Sequence, residues 1–205
     1  MARVDDYIAA KKLAVEKLAA ESFEEILMRS GYHAEEGTTA LTIPFLNRTY
    51  RATFPDFSFT DTADDTADVP IQEEVLILHY LTAKNITVPT GKWVAYREIP
   101  GAGFYFSAFA KRAIDPLKKV FGRNTQALKT AAEKLSATAI DVGDAGFEFQ
   151  LMPQIPMQMI LWEGDDEFEP EANILFDQKV GDILSPEDIA WLAGMIVYRL
   201  MALAR

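Results

Sequence analysis

The chain has no cysteine, and that absence removes several chemistries at once. Disulfides, thiolate-bound zinc, iron–sulfur ligation and cysteine nucleophiles are all excluded. Histidine is scarce, 2 residues in 205, so a three-histidine metal centre cannot be built. Positive charge is short as well: 20 Lys and Arg against 31 Asp and Glu leave a net charge of −11. Binding nucleic acid in general needs a basic surface to meet phosphates, so no DNA or RNA partner is expected. Long apolar runs are missing. The longest apolar helix in the pattern, residues 189–203, carries Arg199 and falls short of the ~20 residues that span a bilayer, so no membrane partner is expected either. Met1-Ala2-Arg3-Val4-Asp5-Asp6 lacks the charged-then-apolar pattern of a signal peptide. The expectation is a soluble, cytoplasmic protein, and the missing disulfides fit a reducing compartment.

What is present is enough for a real core: 49% of residues are apolar and 13 are Phe. The length suits one domain. Residues 146–177 read as three adjacent strands. Phe147-Glu148-Phe149-Gln150-Leu151 alternates, as a half-buried strand does. Ile155 to Trp162 becomes apolar on both faces, as a central strand does. Ala172 to Phe176 is the third run, and short turns make the three an antiparallel meander. Upstream, residues 3–30 form a helical arm with an apolar stripe (Ile8, Val15, Leu18, Phe23, Ile26). Ser22 and Glu25 stand at capping-box spacing, where the arm can break. His33 follows in a polar loop. A hairpin is expected around residues 46–48, between two alternating runs, with a further short strand at Phe57-Ser58-Phe59. Residues 61–69 form an acidic loop. Val69-Pro70 then opens a helix whose residues 75–81 are all apolar or aromatic except His79; such a helix is buried. A helix is expected from Phe104 to about Ala113, another from Asp115-Pro116 with Asp115 as cap, a third to about Ser136, and a last from Ser185-Pro186. Helices and strands are grouped rather than strictly alternating. The fold class expected is therefore α+β: an antiparallel or mixed sheet, a buried central helix pressed against it, and flanking helices in a single domain, residues 1–205.

Four features carry possible chemistry. The first is charge asymmetry. Residues 92–134 hold nine basic and three acidic side chains, a segment of +6 that leaves the remainder at −17. It can steer a small anionic ligand or an acidic protein partner, or it is simply two helices with solvated Lys faces. The second is the acidic turn Trp162-Glu163-Gly164-Asp165, continued by Asp166, Glu167, Glu169 and Glu171. Paired carboxylates suit a hard cation. An EF-hand fails, because a loop starting at Asp165 has Pro170 where Gly is needed and Phe176 where Glu is needed. A solvated acidic connection is the alternative, and no metal ligand set is assigned. The third is Gly101-Ala102-Gly103, which can cradle an anion with help from Arg97 and Lys111, or form a plain turn. It is neither a dinucleotide fingerprint, since position 106 is Phe, nor a Walker loop. The fourth is His79 beside Tyr80, either a proton shuttle or ligand, or a satisfied core histidine. No Gly-x-Ser-x-Gly elbow occurs, and Ser107 and Lys111 are four apart rather than three.

Three blocks carry a family resemblance: residues 69–81, Trp93-Val94-Ala95-Tyr96-Arg97-Glu98-Ile99-Pro100-Gly101, and residues 143–149 with 161–168 and 172–177. They resemble domain-of-unknown-function family 3786, found mostly in anaerobic bacteria and archaea. The likeness implies one intact domain over nearly the whole chain, and a link to corrinoid-dependent metabolism. It supplies no catalytic residues and no cofactor, and the cysteine segment of some relatives is absent here. The leading expectation is a non-catalytic ligand- or partner-binding accessory module. Its site is expected where His79, Tyr80, Trp93, Arg97, Gly101, Gly103, Trp162, Glu163 and Asp165 meet. The alternative is a carboxylate-based, divalent-metal-dependent enzyme using Glu163, Asp165 and His79.

Overall fold

The α+β class follows from the grouping of apolar patterns, and the computed structural model, which describes residues 4–204, has it. The chain divides into two compact units. One comprises Met1–Thr87 with Asp182–Leu184; the other comprises Val88–Gly181 with Ser185–Arg205.

In the first unit the expected helical arm is two helices, α1 (Val4–Ala19) and α2 (Phe23–Ser30). Residue 3, the expected start, lies outside the described residues. The break falls at Ser22, whose hydroxyl accepts from the Glu25 N–H while the Glu25 carboxylate accepts from the Ser22 N–H. This reciprocal cap satisfies N–H groups that the new helix cannot. Gly31 closes α2 at φ 73°, a conformation that glycine adopts without a Cβ penalty. The strands β1 (His33–Ala34), β2 (Ala40–Phe45), β3 (Arg48–Thr53) and β4 (Ser58–Asp61) form an antiparallel sheet in that order. The β2–β3 hairpin turns at Leu46 and Asn47, as its alternation predicts, with Leu46 left-handed at φ 54°.

Four local expectations need correction. His33 is in a short edge strand rather than a loop, and pairs with Thr42. Phe57 is a buried turn residue at φ 46°, so the strand begins at Ser58. Asp61 belongs to β4 rather than to the acidic loop; it is buried and meets Arg48 at 2.6 Å. Pro70 sits in the cap position, one residue before α3 (Ile71–Thr82).

The helix α3 is buried as its all-apolar run requires, with Ile77, Leu78, Tyr80 and Leu81 fully enclosed. Each of the aliphatic side chains among them contributes about 1.5–3 kcal/mol by leaving water. It packs against α1 and α2. Two buried carboxylates in its first turn are satisfied: the Tyr50 hydroxyl donates to Glu73 at 2.6 Å, and Lys11 pairs with Glu74 at 2.7 Å.

The second unit is built on a five-stranded sheet. Its strands are β5 (Trp93–Ala95), β6 (Thr138–Ile140), β7 (Ala145–Met152), β8 (Ile155–Trp162) and β9 (Glu171–Asp177), in the order β5-β9-β8-β7-β6 and all antiparallel. The meander β7-β8-β9 is the one its pattern predicts, and β8 is central and buried on both faces apart from Gln158 and Trp162. Gln158 lies directly opposite Glu148 and donates to it at 3.0 Å, so the polar pair is satisfied across the ladder.

Short 3₁₀ turns at Tyr96–Glu98 and Ala102–Tyr105 lead into α4 (Phe106–Phe109), a π turn (Ala110–Ile114) and α5 (Asp115–Phe121). Two expectations are corrected here. The helix begins after a 3₁₀ turn rather than at Phe104, and Asp115 is not a cap. Asp115 is helical at φ −63°, ψ −46°, inside one continuous helical segment. The reason is the π turn: the Asp115 N–H donates five residues back to the Ala110 carbonyl, and Pro116, with no N–H of its own to place, continues the same helical segment instead of restarting it. Next come α6 (Thr125–Glu133), ending earlier than expected, then α7 (Val180–Ile183), whose last two residues belong to the first unit, and α8 (Pro186–Leu203). Ser185 caps α8, its hydroxyl accepting from the Asp188 N–H at 3.2 Å. At Gly194 the π turn comes close: a Cβ there would stand 3.2 Å from that of Arg112, whose guanidinium lies 4.3 Å above the Trp191 ring.

The two all-apolar runs, expected to share one core, belong to different units: Leu78 to the first and Ile160 to the second. Both are buried.

Candidate functional site

Of the nine expected site residues, His79 and Tyr80 lie in the first unit, the other seven in the second. Tyr80 is fully buried and structurally occupied: its hydroxyl donates to the Ser30 carbonyl at 2.7 Å, and its ring meets Tyr32 edge-on at 5.6 Å. His79 is half-buried on α3, and its carbonyl accepts from the Thr82 hydroxyl.

In the second unit, Trp93 and Trp162 stand at opposite ends of β9. Trp93 pairs with Asp177 and Trp162 with Glu171. Those partners are six residue steps apart along the strand, roughly 20 Å at the usual rise, so the two indoles do not share a site.

The arrangement around Arg97 is different. Tyr96 fixes this segment from inside: its ring stacks on Phe109 at 4.2 Å with planes 3° apart, and its hydroxyl donates to the Pro186 carbonyl at 2.7 Å. Burial pushes its phenol up to about 12. The Glu98 carboxylate folds back to accept from the Ala95 N–H at 2.7 Å, closing the 3₁₀ turn. With Tyr96 directed inward, Arg97 is directed outward and lies 3.6 Å above the Phe106 ring. A guanidinium on an aromatic face is a favourable cation–π contact. Gly101, left-handed at φ 79°, redirects the chain into the 3₁₀ turn that carries Phe104 and Tyr105. Phe104 is 95% exposed and Tyr105 is exposed. Gly101, Gly103 and Phe104 line a depression of about 370 Å³. Arg97, Gly101 and Gly103 are thus brought to one surface element, and the sequence reading missed the aromatics that complete it. The signal was available: Phe104-Tyr105-Phe106 are consecutive, and a helical turn separates successive side chains by about 100°, so three in a row cannot all face a core.

The acidic connection between β8 and β9 is ordered rather than loose. Glu163 accepts from the Thr125 hydroxyl at 3.0 Å, and its N–H donates to Asp144 at 2.7 Å. Asp165 caps its own turn, accepting from the Phe168 N–H at 2.7 Å and the Glu167 N–H at 2.8 Å. These backbone donors hold its carboxyl below the usual aspartate range. Gly164 donates to the Gly122 carbonyl at 2.8 Å, and the Arg123 guanidinium to the Asp165 carbonyl at 3.0 Å. Each of the two carboxylates proposed for chemistry therefore has a structural partner. Among the described residues no group of three or more His, Asp or Glu is placed to hold a metal ion.

A further carboxylate, Asp177, closes the third strand of the meander. It is 2% exposed at the end of β9. It accepts from the Thr90 N–H and hydroxyl, the Gly91 N–H and the Lys179 N–H, at 2.7–3.0 Å. Burial raises its pKa, and these donors more than offset that, so the carboxyl lies below its ordinary value. It pins the loop before β5, the strand that leads to Arg97.

Two antiparallel sheets with helices grouped around them define an α+β protein that carries an exposed aromatic–arginine element. Residues 22–199 match the family described as domain of unknown function (DUF3786), and the chain belongs to that family. No curated protein and no solved structure matches it. Among the described residues no helix is long and apolar enough to cross a membrane.

Proposed function

We propose that this protein is a non-catalytic accessory module that binds a protein partner through the element formed by Arg97, Gly101, Gly103, Phe104, Tyr105 and Phe106. The observation that carries the reading is Phe104, 95% exposed on a turn braced by the buried Tyr96. Phe104 with Tyr105, beside the Arg97–Phe106 contact, offers exposed apolar area whose removal from water by a partner is favourable. Phe, Tyr and Arg are also the residue types that anchor interfaces. The segment around them is basic, which fits a partner with acidic groups around an apolar pocket. The cytoplasmic setting and the corrinoid-linked metabolism implied by the family resemblance are part of this proposal, as is folding of the two units as one domain. The family match, which runs through both units, supports the last point.

The test is affinity purification from the native host with the wild-type chain, Phe104→Ser and Arg97→Gln. A partner recovered with the wild type should weaken by roughly thirtyfold with Phe104→Ser, the size of an interface anchor. Equal recovery with all three chains contradicts the reading. Thermal denaturation with Mg²⁺, Ca²⁺, Mn²⁺ or Zn²⁺ tests the enzyme alternative. A metal that binds only the folded state raises the melting point, and a shift abolished by Glu163→Gln would favour that alternative.

A further inference from the structure

A second feature of the second unit shares no lining residue with the Gly101–Phe104 depression. The helix α5 ends at Gly122, and this corner is packed tightly against the β8–β9 connection: a Cβ at Gly122 would stand 2.5 Å from Pro170. Beside the contact is a cleft of about 400 Å³. Lys118, Lys119 and Arg123 line it from the helical side, and Asp115 and Glu169 also border it. Among the described residues none of these five charged groups lies within 4.0 Å ion-pair distance of another, and three cations against two acids leave the lining at +1. Arg123 is held in place by its bond to the Asp165 carbonyl at 3.0 Å, which leaves further N–H donors of its fork available. Val120 and Pro170 give the same cleft an apolar wall.

We propose that this cleft binds a phosphorylated small molecule. Three cationic groups around one space favour a doubly charged tetrahedral anion, because a guanidinium fork and two ammonium groups donate to several of its oxygens at once. The volume leaves room for an organic body beyond the phosphate, lying against Val120 and Pro170. Asp115 and Glu169 then provide acceptors for hydroxyl or amino groups of that body, and disfavour a bare polyanion. The cleft sits in the +6 segment, whose field draws anions toward it.

The probe is inorganic phosphate, with a sugar phosphate and a dicarboxylate as comparison arms, titrated at constant ionic strength and followed by calorimetry. The expected result is saturable phosphate binding, tighter for the sugar phosphate, and weakened roughly tenfold in Lys119→Gln and more in the Lys118→Gln/Arg123→Gln double variant. Arg123→Lys keeps the charge but loses the fork, and binds between wild type and the double variant. Lys119→Gln changes only a surface side chain, so a fold defect in the double variant does not obscure the result. Absence of saturable binding overturns the proposal, and so does binding unchanged in Lys119→Gln or equal affinity for the dicarboxylate. These readouts do not involve Phe104, so they fail or succeed independently of the partner surface.

Discussion

Replacing Asp177 with Asn should cost about 3 kcal/mol of folding free energy. The side chain keeps its shape, but one of its two oxygens becomes an N–H₂ group. In the better orientation the remaining carbonyl faces Thr90 and Gly91, and the new amide is directed at the Lys179 N–H, donor against donor. One charge-assisted bond is then lost, worth about 1.5–3 kcal/mol, and three others fall to neutral strength. The sign with pH follows from the depressed pKa. A carboxyl that ionises more easily folded than unfolded stabilises the fold above its unfolded pKa, about 4, and loses that contribution as pH falls through the lower folded value. Urea unfolding should therefore show a wild-type advantage that is constant above about pH 5 and shrinks in acid, where a protonated Asp177 resembles Asn. Taking the difference between the two chains isolates this residue from Glu21, Asp61, Asp64 and Asp165, which are also lowered. Equal urea midpoints at pH 7, or a difference that persists undiminished in acid, would refute the reasoning.

Gly122→Ala should lose about 1–3 kcal/mol by urea denaturation, because its Cβ would overlap Pro170. Tyr80→Phe should lose about 1 kcal/mol with the bond to Ser30. Tyr32→Phe, in ring contact with it, should cost nothing or stabilise slightly, since the Tyr32 hydroxyl is buried with no hydrogen-bond partner among the described residues. All three tryptophans, at 93, 162 and 191, belong to the second unit. If the two units fold as one domain, tryptophan fluorescence and hydrogen exchange at α3 should report the same urea midpoint; separated midpoints would mean independent folding.

Much of the fold was legible because its signals are local. The Ser22–Glu25 cap, the β2–β3 hairpin and the alternation of β7 each need only a few neighbouring residues. Asp115-Pro116 misled for the same reason. Locally it is a cap and a first helical residue, and only the π turn upstream lets one helix run through it. Apolar pattern shows that Leu78 and Ile160 are buried but not what covers them, so their division between two units was invisible. Acidic density in residues 163–171 looked like available chemistry, yet Thr125 and the turn's own N–H groups take up Glu163 and Asp165. Such partners, distant in sequence or in the backbone, leave no trace in composition. The Arg97 element was half legible: its glycines and arginine stand out, while its aromatics read only as the start of a helix at Phe104.

The most direct test places a photo-crosslinking residue at position 104 and, as a control, at Val88, another exposed apolar position of the same unit. The account predicts one discrete crosslinked species from position 104, abolished by Arg97→Gln, and none from position 88. Crosslinks of equal yield from both positions, or from neither, would contradict it.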